Sequence, residues 1–368
     1  MKSNSLPRAL VVGAFSLTVA LGLSACSASN ETDNSGGGGG GDTKLSGDLD
    51  GAGATSQEAA MAAWKAGFQG PNPDVTVNYD AVGSGGGREA FLSGGVLFAG
   101  SDSYLTDDEI TTAKDTCGGD PIEVPVYVSP IAVIYNLPGV DDLQLSPSTV
   151  AQIFAGKVTS WDDPAITADN PDASLPSSKI TPVHRSDESG TTANFTDYLS
   201  QAASSDWSYG SVETWPIKSG EAADGTSGVI AAVRGGDGTV GYADESQAGD
   251  LGKALIGVGG DFVAPTADAA SAVLDESTPV SGRADTDQAI DVNRTTDASG
   301  VYPIVLVSYH ITCTTYDSQE KVDLVKGFES YVISSAGQGA AADAAGSAPI
   351  TDAIREKAQT AIDSISVK

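Results

Sequence analysis

Histidine is scarce in this chain of 368 residues, with only His184 and His310. Cysteine is nearly as scarce, with Cys26, Cys117 and Cys313. No His/Cys cluster exists, which argues against a zinc site. The acidic residues nowhere adopt the spacing of a calcium loop closed by a distal Glu. No metal and no cofactor are therefore expected. Basic residues are also few, 19 against 49 acidic, for a net charge of −30. Such a surface repels nucleic acid and disfavours binding to membranes through basic patches. It repels anions at long range too, so an anion site here must act through short-range, preorganised hydrogen bonds.

Other signatures are missing. The phosphate loop G-x-x-x-x-G-K-[ST] is absent. Ser56 and Arg88 stand where G-x-G-x-x-G needs its third glycine. There is no G-x-S-x-G nucleophile elbow. No stretch after the first 25 residues approaches the 18 apolar residues of a membrane span, so no second membrane segment is expected.

What is present begins with Lys2 and Arg8, followed by a 14-residue apolar run from Leu10 to Leu23. The run is short for a bilayer span and has the order of an export signal. It ends in Leu23-Ser24-Ala25-Cys26, which resembles a bacterial lipobox with Cys26 as the lipidated residue. An ordinary signal peptide or a short anchor is the alternative. Residues 26–44 then read as a tether, with six consecutive glycines and almost no apolar side chains. A Gly-rich coil of that length reaches roughly 25 Å. With Cys26 lipidated, Cys117 and Cys313 remain. Outside the cytoplasm they are expected to form a disulfide, two buried thiols being the alternative.

The remaining residues, 45–368, are long enough for two lobes. Strand-like and helix-like patterns alternate, which predicts α/β layers. Ser56–Gln69 places Met61, Trp64 and Phe68 on one helical stripe, and Val75, Val77 and Tyr79 alternate as in a strand. Val124–Tyr135 is an apolar run interrupted by Pro125, Ser129 and Pro130. Helices are predicted over 148–155, 191–200, 228–234 and 351–365, and strands over 180–184 and 301–311. His184 and His310 read as strand residues, and Trp64, Trp161, Trp207 and Trp215 as packing residues.

Four short segments share a physical character: GAGATS (51–56), GSGGG (83–87), AGSD (99–102) and RSDESGTT (185–192). Three of them place Gly, Ser and Thr at a predicted helix N-terminus, where free N–H groups and the helix dipole favour anions. Glycine allows close backbone approach, and Arg185 can grip a tetrahedral oxyanion with parallel hydrogen bonds. Each segment has a plainer reading. Thr55 and Glu58 fit a capping box, GSGGG fits a turn, Asp102 fits a helix cap, and Arg185 can simply pair with Asp187.

In this order, the lipobox, GAGATS, GSGGG, AGSD and RSDESGTT resemble the phosphate-binding proteins of phosphate-specific ABC transporters, the PstS family. Residues 145–166 (LSPSTVAQIFAGKVTSWDDPAI), 228–242 (GVIAAVRGGDGTVGY) and 302–309 (YPIVLVSY) are similar too. The resemblance implies a two-lobe periplasmic-binding-protein-like fold of the class II type, with two crossover strands near 124–127 and 303–306. Lobe 1 would comprise 45–126 with 306–368, and lobe 2 would comprise 127–305. It further implies that Thr55, Ser56, Ser84, Arg185, Ser189, Gly190 and Thr191 donate to phosphate. Asp187 would hold Arg185, and Asp102 would accept the phosphate's own proton. Glu188 departs from a frequent glycine and must point away from the anion; Leu97 departs from a frequent acidic residue.

The implied protein is a monomeric, non-enzymatic binding protein. It would be held by lipid on the extracytoplasmic face and would deliver inorganic phosphate to an ABC permease. The alternatives are binding of another tetrahedral oxyanion, a phosphate-ester hydrolase using Ser189 and His184, and a surface adhesin.

Overall fold

The computed structural model describes residues 44–368, which form a single unit. Cys26, the signal and the tether up to Thr43 lie outside the described residues.

The chain opens with strand β1 (Gly47–Gly53) and one 3-10 turn (Thr55–Gln57), which leads into helix α1 (Glu58–Gln69). Met61, Trp64 and Phe68 are buried together on one face of α1, as spacings of three and four dictate. Strand β2 (Val75–Ala81) buries Val75 and Val77 and exposes Thr76 and Asn78, the alternation of a half-covered strand. Helix α2 (Ser84–Leu92) begins at Ser84, so Gly85–Gly87 form its first turn rather than a preceding loop. Strand β3 (Phe98–Ser101) leads through Asp102 to helix α3 (Asp107–Cys117). A capping box between Thr106 and Glu109 starts α3, and Gly118, with φ of 72°, ends it.

Strand β4 (Pro121–Asn136) is buried along its whole length except at Asn136, which explains its nearly unbroken apolar sequence. Its internal prolines sit where the ladder is interrupted, because proline donates no hydrogen bond. Beside Pro125 the pairing slips by one residue as a bulge, and after Pro130 the partner strand changes. Helix α4 (Pro147–Phe154), strand β5 (Thr181–Arg185), helix α5 (Gly190–Ala202), strand β6 (Glu221–Ala223), helix α6 (Gly225–Gly235) and strand β7 (Thr239–Asp244) follow. Helix α6 starts three residues before its apolar pattern, because Gly225 and Thr226 supply its first turn.

The long returning strand β8 (Val305–Cys313) lies antiparallel to β4 from Pro121 to Pro130. Residues 301–304 carry a strand-like sequence but precede the ladder. Helices α7 (Gln319–Ile333), α8 (Ser335–Ala345) and α9 (Asp352–Asp363) close the chain. Helix α8 packs on α1, and α9 packs on α7.

The main sheet has the order β2-β1-β3-β8-β4-β7-β5-β6. Parallel strands stand on either side of the antiparallel β4–β8 pair. From Pro121 to Pro130, β4 pairs with β8; from Ile131 to Asn136 it pairs with β7. The disulfide Cys117–Cys313 joins the end of α3 to the end of β8, with Cα atoms 5.1 Å apart. Among the described residues, no helix is long and apolar enough to cross a membrane.

Candidate functional site

In α/β sheets, ligands gather beyond the carboxyl ends of parallel strands. The segments after β1, β3, β5 and β6 meet there, along with the first turn of α2. Thr55, Ser56, Ser84, Asp102, Arg185, Ser189, Gly190 and Thr191 are all buried. The fold brings these eight residues into one polar cluster, in which hydrogen bonds join Ser56, Ser84 and Thr191 to Asp102 and Thr226 links Thr55 with Arg185.

Asp102 lies at its centre. One carboxylate oxygen, Oδ2, accepts hydrogen bonds from Ser56 Oγ at 2.6 Å and Thr191 Oγ1 at 3.1 Å. The other, Oδ1, accepts from Ser308 Oγ at 2.8 Å. The Asp102 backbone N–H donates to Ser84 Oγ at 3.1 Å, and its carbonyl accepts from Asn194 Nδ2 at 2.6 Å. Burial pushes the Asp102 carboxyl above its ordinary range, opposed by the Ser56, Ser308 and Thr191 hydroxyls and by the charge of Arg185. Helix α3 is capped by Thr106, so Asp102 does not serve as its cap.

Arg185 closes β5. Its Nε donates to Asp187 Oδ1 at 2.7 Å, and its Nη2 bonds to Asp187 Oδ2. Its remaining nitrogen, Nη1, reaches Thr226 Oγ1 at 3.5 Å. The pairing with Asp187 therefore leaves part of the guanidinium directed at the hydroxyl cluster. Burial alone would raise the Asp187 carboxyl; Arg185 outweighs it and holds that carboxyl below the usual range.

Thr55 takes no part in capping α1. The residue before the 3-10 turn is Ala54, and no side-chain cap forms. The Thr55 hydroxyl instead lies 2.9 Å from Thr226 Oγ1 and accepts from Thr226 N–H at 3.1 Å. Ser189 is the cap of α5, where its oxygen accepts from Thr192 N–H at 3.2 Å. Gly190 is required by close approach: a Cβ there would lie 2.5 Å from Ser84 Oγ and 2.8 Å from the Asp102 Cβ. Glu188 is exposed and lies against Gly85, on the outer side of the first turn of α2.

Four residues of the cluster escaped the sequence reading: Thr226, Ser308, Gln57 and Asn194. Thr226 had a legible signal, because Asp224-Gly225-Thr226-Ser227-Gly228 is a fourth Gly/Ser/Thr helix start. The others had none. The histidines are strand residues, His184 in β5 and His310 in β8. Trp64, Trp161 and Trp207 are core residues, and half-buried Trp215 stacks on His184. Among the described residues, no group of His, Cys, Asp and Glu is placed to hold a metal ion. Chemically, the site offers hydroxyls, helix N-termini and one guanidinium to an anion, with a single carboxylate among them.

Comparison with known proteins gives the same architecture. A domain described as a PBP superfamily domain matches residues 38–336. The phosphate-binding protein PstS 3 of Mycobacterium tuberculosis is 38% identical over 326 residues, covering 86% of either chain. The phosphate-binding protein PstS of Methanocaldococcus jannaschii is 33% identical over 306 residues, covering 76% of this chain and 77% of its own. Among solved structures, a high-affinity periplasmic phosphate-binding protein (PfluDING) with bound phosphate superposes with a TM-score of 0.72. It is 24% identical and covers 85% of this chain and 93% of its own, a likeness of fold.

Proposed function

This chain belongs to the PBP superfamily and, within it, to the PstS phosphate-binding proteins, and we propose from that premise that it captures inorganic phosphate and delivers it to an ABC transporter permease. The observation that carries this reading is the buried Asp102 carboxylate, whose Oδ2 faces Ser56 and Thr191 from opposite sides of the cluster. A carboxylate inside an anion site suits a ligand that carries a proton. Phosphate near neutral pH has at least one proton to donate, whereas sulfate has none. Sulfate would leave buried acceptors facing one another. Sites built around a ligand hydroxyl reject analogues lacking it by ~10⁴–10⁵.

In this reading the Ser56 and Thr191 hydroxyls turn to the phosphate oxygens, and Oδ2 takes the phosphate's proton. Thr55, Ser84, Ser189 and Gly190 add donors. Arg185, held flat by Asp187, neutralises charge. The lobes are 45–126 with 306–368, and 127–305, joined through β4 and β8. Closing them assembles donors from both sides, and opening them releases phosphate to the permease. Lipidation at Cys26 would keep the protein on the extracytoplasmic face.

A hydrolase would need an activated nucleophile. Ser189 bonds to Thr192 N–H, while His184 Nδ1 lies 2.9 Å from the Arg185 carbonyl and its ring stacks on Trp215. That arrangement favours binding over turnover. The test is calorimetric titration of residues 45–368 with phosphate and then sulfate at neutral pH. One-to-one phosphate binding with sulfate silent is expected. Equal sulfate binding removes the phosphate assignment, and silence toward both anions removes the binding role.

A further inference from the structure

Behind Asp102 runs a chain of buried polar side chains from three separate segments. Ser308 Oγ lies 2.8 Å from Asp102 Oδ1, and Gln57 Nε2 lies 2.7 Å from Ser308 Oγ. Gln57 Oε1 lies 3.3 Å from His310 Nε2, and His310 Nδ1 lies 2.8 Å from Glu329 Oε2. Gln57, Ser308 and His310 have no exposed surface, and Glu329 is 1% exposed. Burying so many polar groups is costly unless each finds a partner.

The hydrogen-bond directions from Asp102 to His310 Nε2 follow from the donor and acceptor chemistry of the groups. Gln57 Nε2 also lies 3.1 Å from the Tyr309 carbonyl, which can only accept. The group there is therefore the amide NH₂, and its second hydrogen goes to Ser308 Oγ. Ser308 then has its own hydrogen free for Asp102 Oδ1. The opposite end of Gln57 is a carbonyl oxygen, so the facing His310 Nε2 must carry a hydrogen. His310 Nδ1 then either donates to an ionised Glu329 or accepts from a protonated one. In both forms the pair is neutral overall. Gly100 makes room for this arrangement, since a Cβ there would lie 2.3 Å from Gln57 Oε1.

We infer that Gln57, Ser308 and the His310–Glu329 pair are a polarised relay that positions Asp102, occupying Oδ1 from behind so that Oδ2 alone is presented to the ligand. These are positioning residues, separate from the groups that touch the anion. The inference rests on the phosphate reading for its consequence, though not for its geometry. With the Ser308 donor removed, the Asp102 carboxyl takes up a proton more readily, and a protonated carboxyl tolerates sulfate. With Gln57 changed to glutamate, the new carboxylate accepts the Ser308 hydrogen and reverses the relay.

Two measurements test this. The first is the ¹⁵N spectrum of the imidazoles in residues 45–368, where two histidines make assignment simple. His310 Nε2 is expected to be protonated; a bare Nε2 would overturn the polarity whatever the protein binds. The second is phosphate titration of Ser308→Ala and Gln57→Glu, with sulfate as competitor and thermal melting as the control for folding. Each variant is expected to bind phosphate at least about tenfold more weakly and to be displaced by less sulfate relative to its own phosphate affinity. Ser308→Ala removes a single oxygen and decides the matter if Gln57→Glu does not fold. A folded Ser308→Ala variant with unchanged phosphate affinity, or with phosphate and sulfate weakened equally, would reduce the chain to a core network. Failure of the parent protein to bind phosphate would sink the functional reading and leave the imidazole result standing.

Discussion

Arg88 Nη2 lies 2.7 Å from Glu213 Oε2, an ion pair that ties α2 to the segment following α5. The same guanidinium bonds to Glu109 through Nε at 2.8 Å and to Ser101 through Nη1 at 3.1 Å. Both charged side chains are largely buried, at 6% and 18% exposure. In the two-lobe reading, Glu213 is the only one of these partners in the second lobe. Breaking the pair should therefore ease opening more than it harms either lobe. Glu213→Gln is expected to raise the phosphate dissociation rate severalfold, measured by stopped-flow displacement; an unchanged rate would remove the latch role.

Asp102→Asn tests the central carboxylate. The amide cannot accept the phosphate's proton in the same way and can donate to sulfate. Phosphate affinity should fall and the preference over sulfate should narrow, by competition titration. Preserved preference would show that selectivity lies elsewhere.

Arg185→Ala removes a buried charge and leaves Asp187 without its partner. Losses of this kind typically cost about 3–5 kcal/mol, so phosphate affinity should fall by about 100-fold or more by calorimetry. Arg185→Lys should not restore it, because an ammonium lacks the flat fork that engages Asp187 and the ligand together.

Asp244 makes stability depend on pH. It ends β7 opposite Ile131, where β4 changes partner. Its Oδ1 accepts from Ser246 N–H at 3.0 Å, and its buried Oδ2 has no partner among the described residues. Burial pushes its carboxyl up to about 7. The folded state thus binds a proton more tightly than the unfolded chain. The stabilisation is full below about pH 4 and is lost as pH rises through about 7. Asp244→Asn should gain stability relative to the parent between pH 4 and pH 8, by up to about 4 kcal/mol, read from thermal melts across that range. Parallel pH profiles for the two proteins would contradict this.

The Cys117–Cys313 bond closes a loop of 196 residues. Replacing both cysteines with alanine should cost about 2–5 kcal/mol and lower the melting temperature. Reductant should lower the parent's melting temperature and leave the variant's unchanged.

The sequence by itself determined what is local. The apolar stripe of α1, the glycine-rich helix starts, the Arg185–Asp187 spacing and the paired cysteines each lie within a few residues or follow from counting. They indicated an α/β protein with an anion site, while the eight residues assigned to that site followed from the family resemblance. Only the tertiary structure decided which local reading prevailed. Thr55 had the pattern of a cap, yet its hydroxyl turned to Thr226, 171 residues away. Pro125 and Pro130 only interrupt an apolar run in the sequence, whereas in the structure they mark a bulge and a change of partner within one strand. Ser308, Gln57 and Glu329 carry no local signature at all. A lone polar residue on a strand or helix gains its role from whatever lies opposite it. Here that depends on strand order, which sets the turn after β1 close to β8 across β3 and places Gln57 against Ser308 over a separation of 251 residues. Periodicity along the chain carries no information about such pairings, whereas burial enforces them, because an unpartnered polar group in the core is costly.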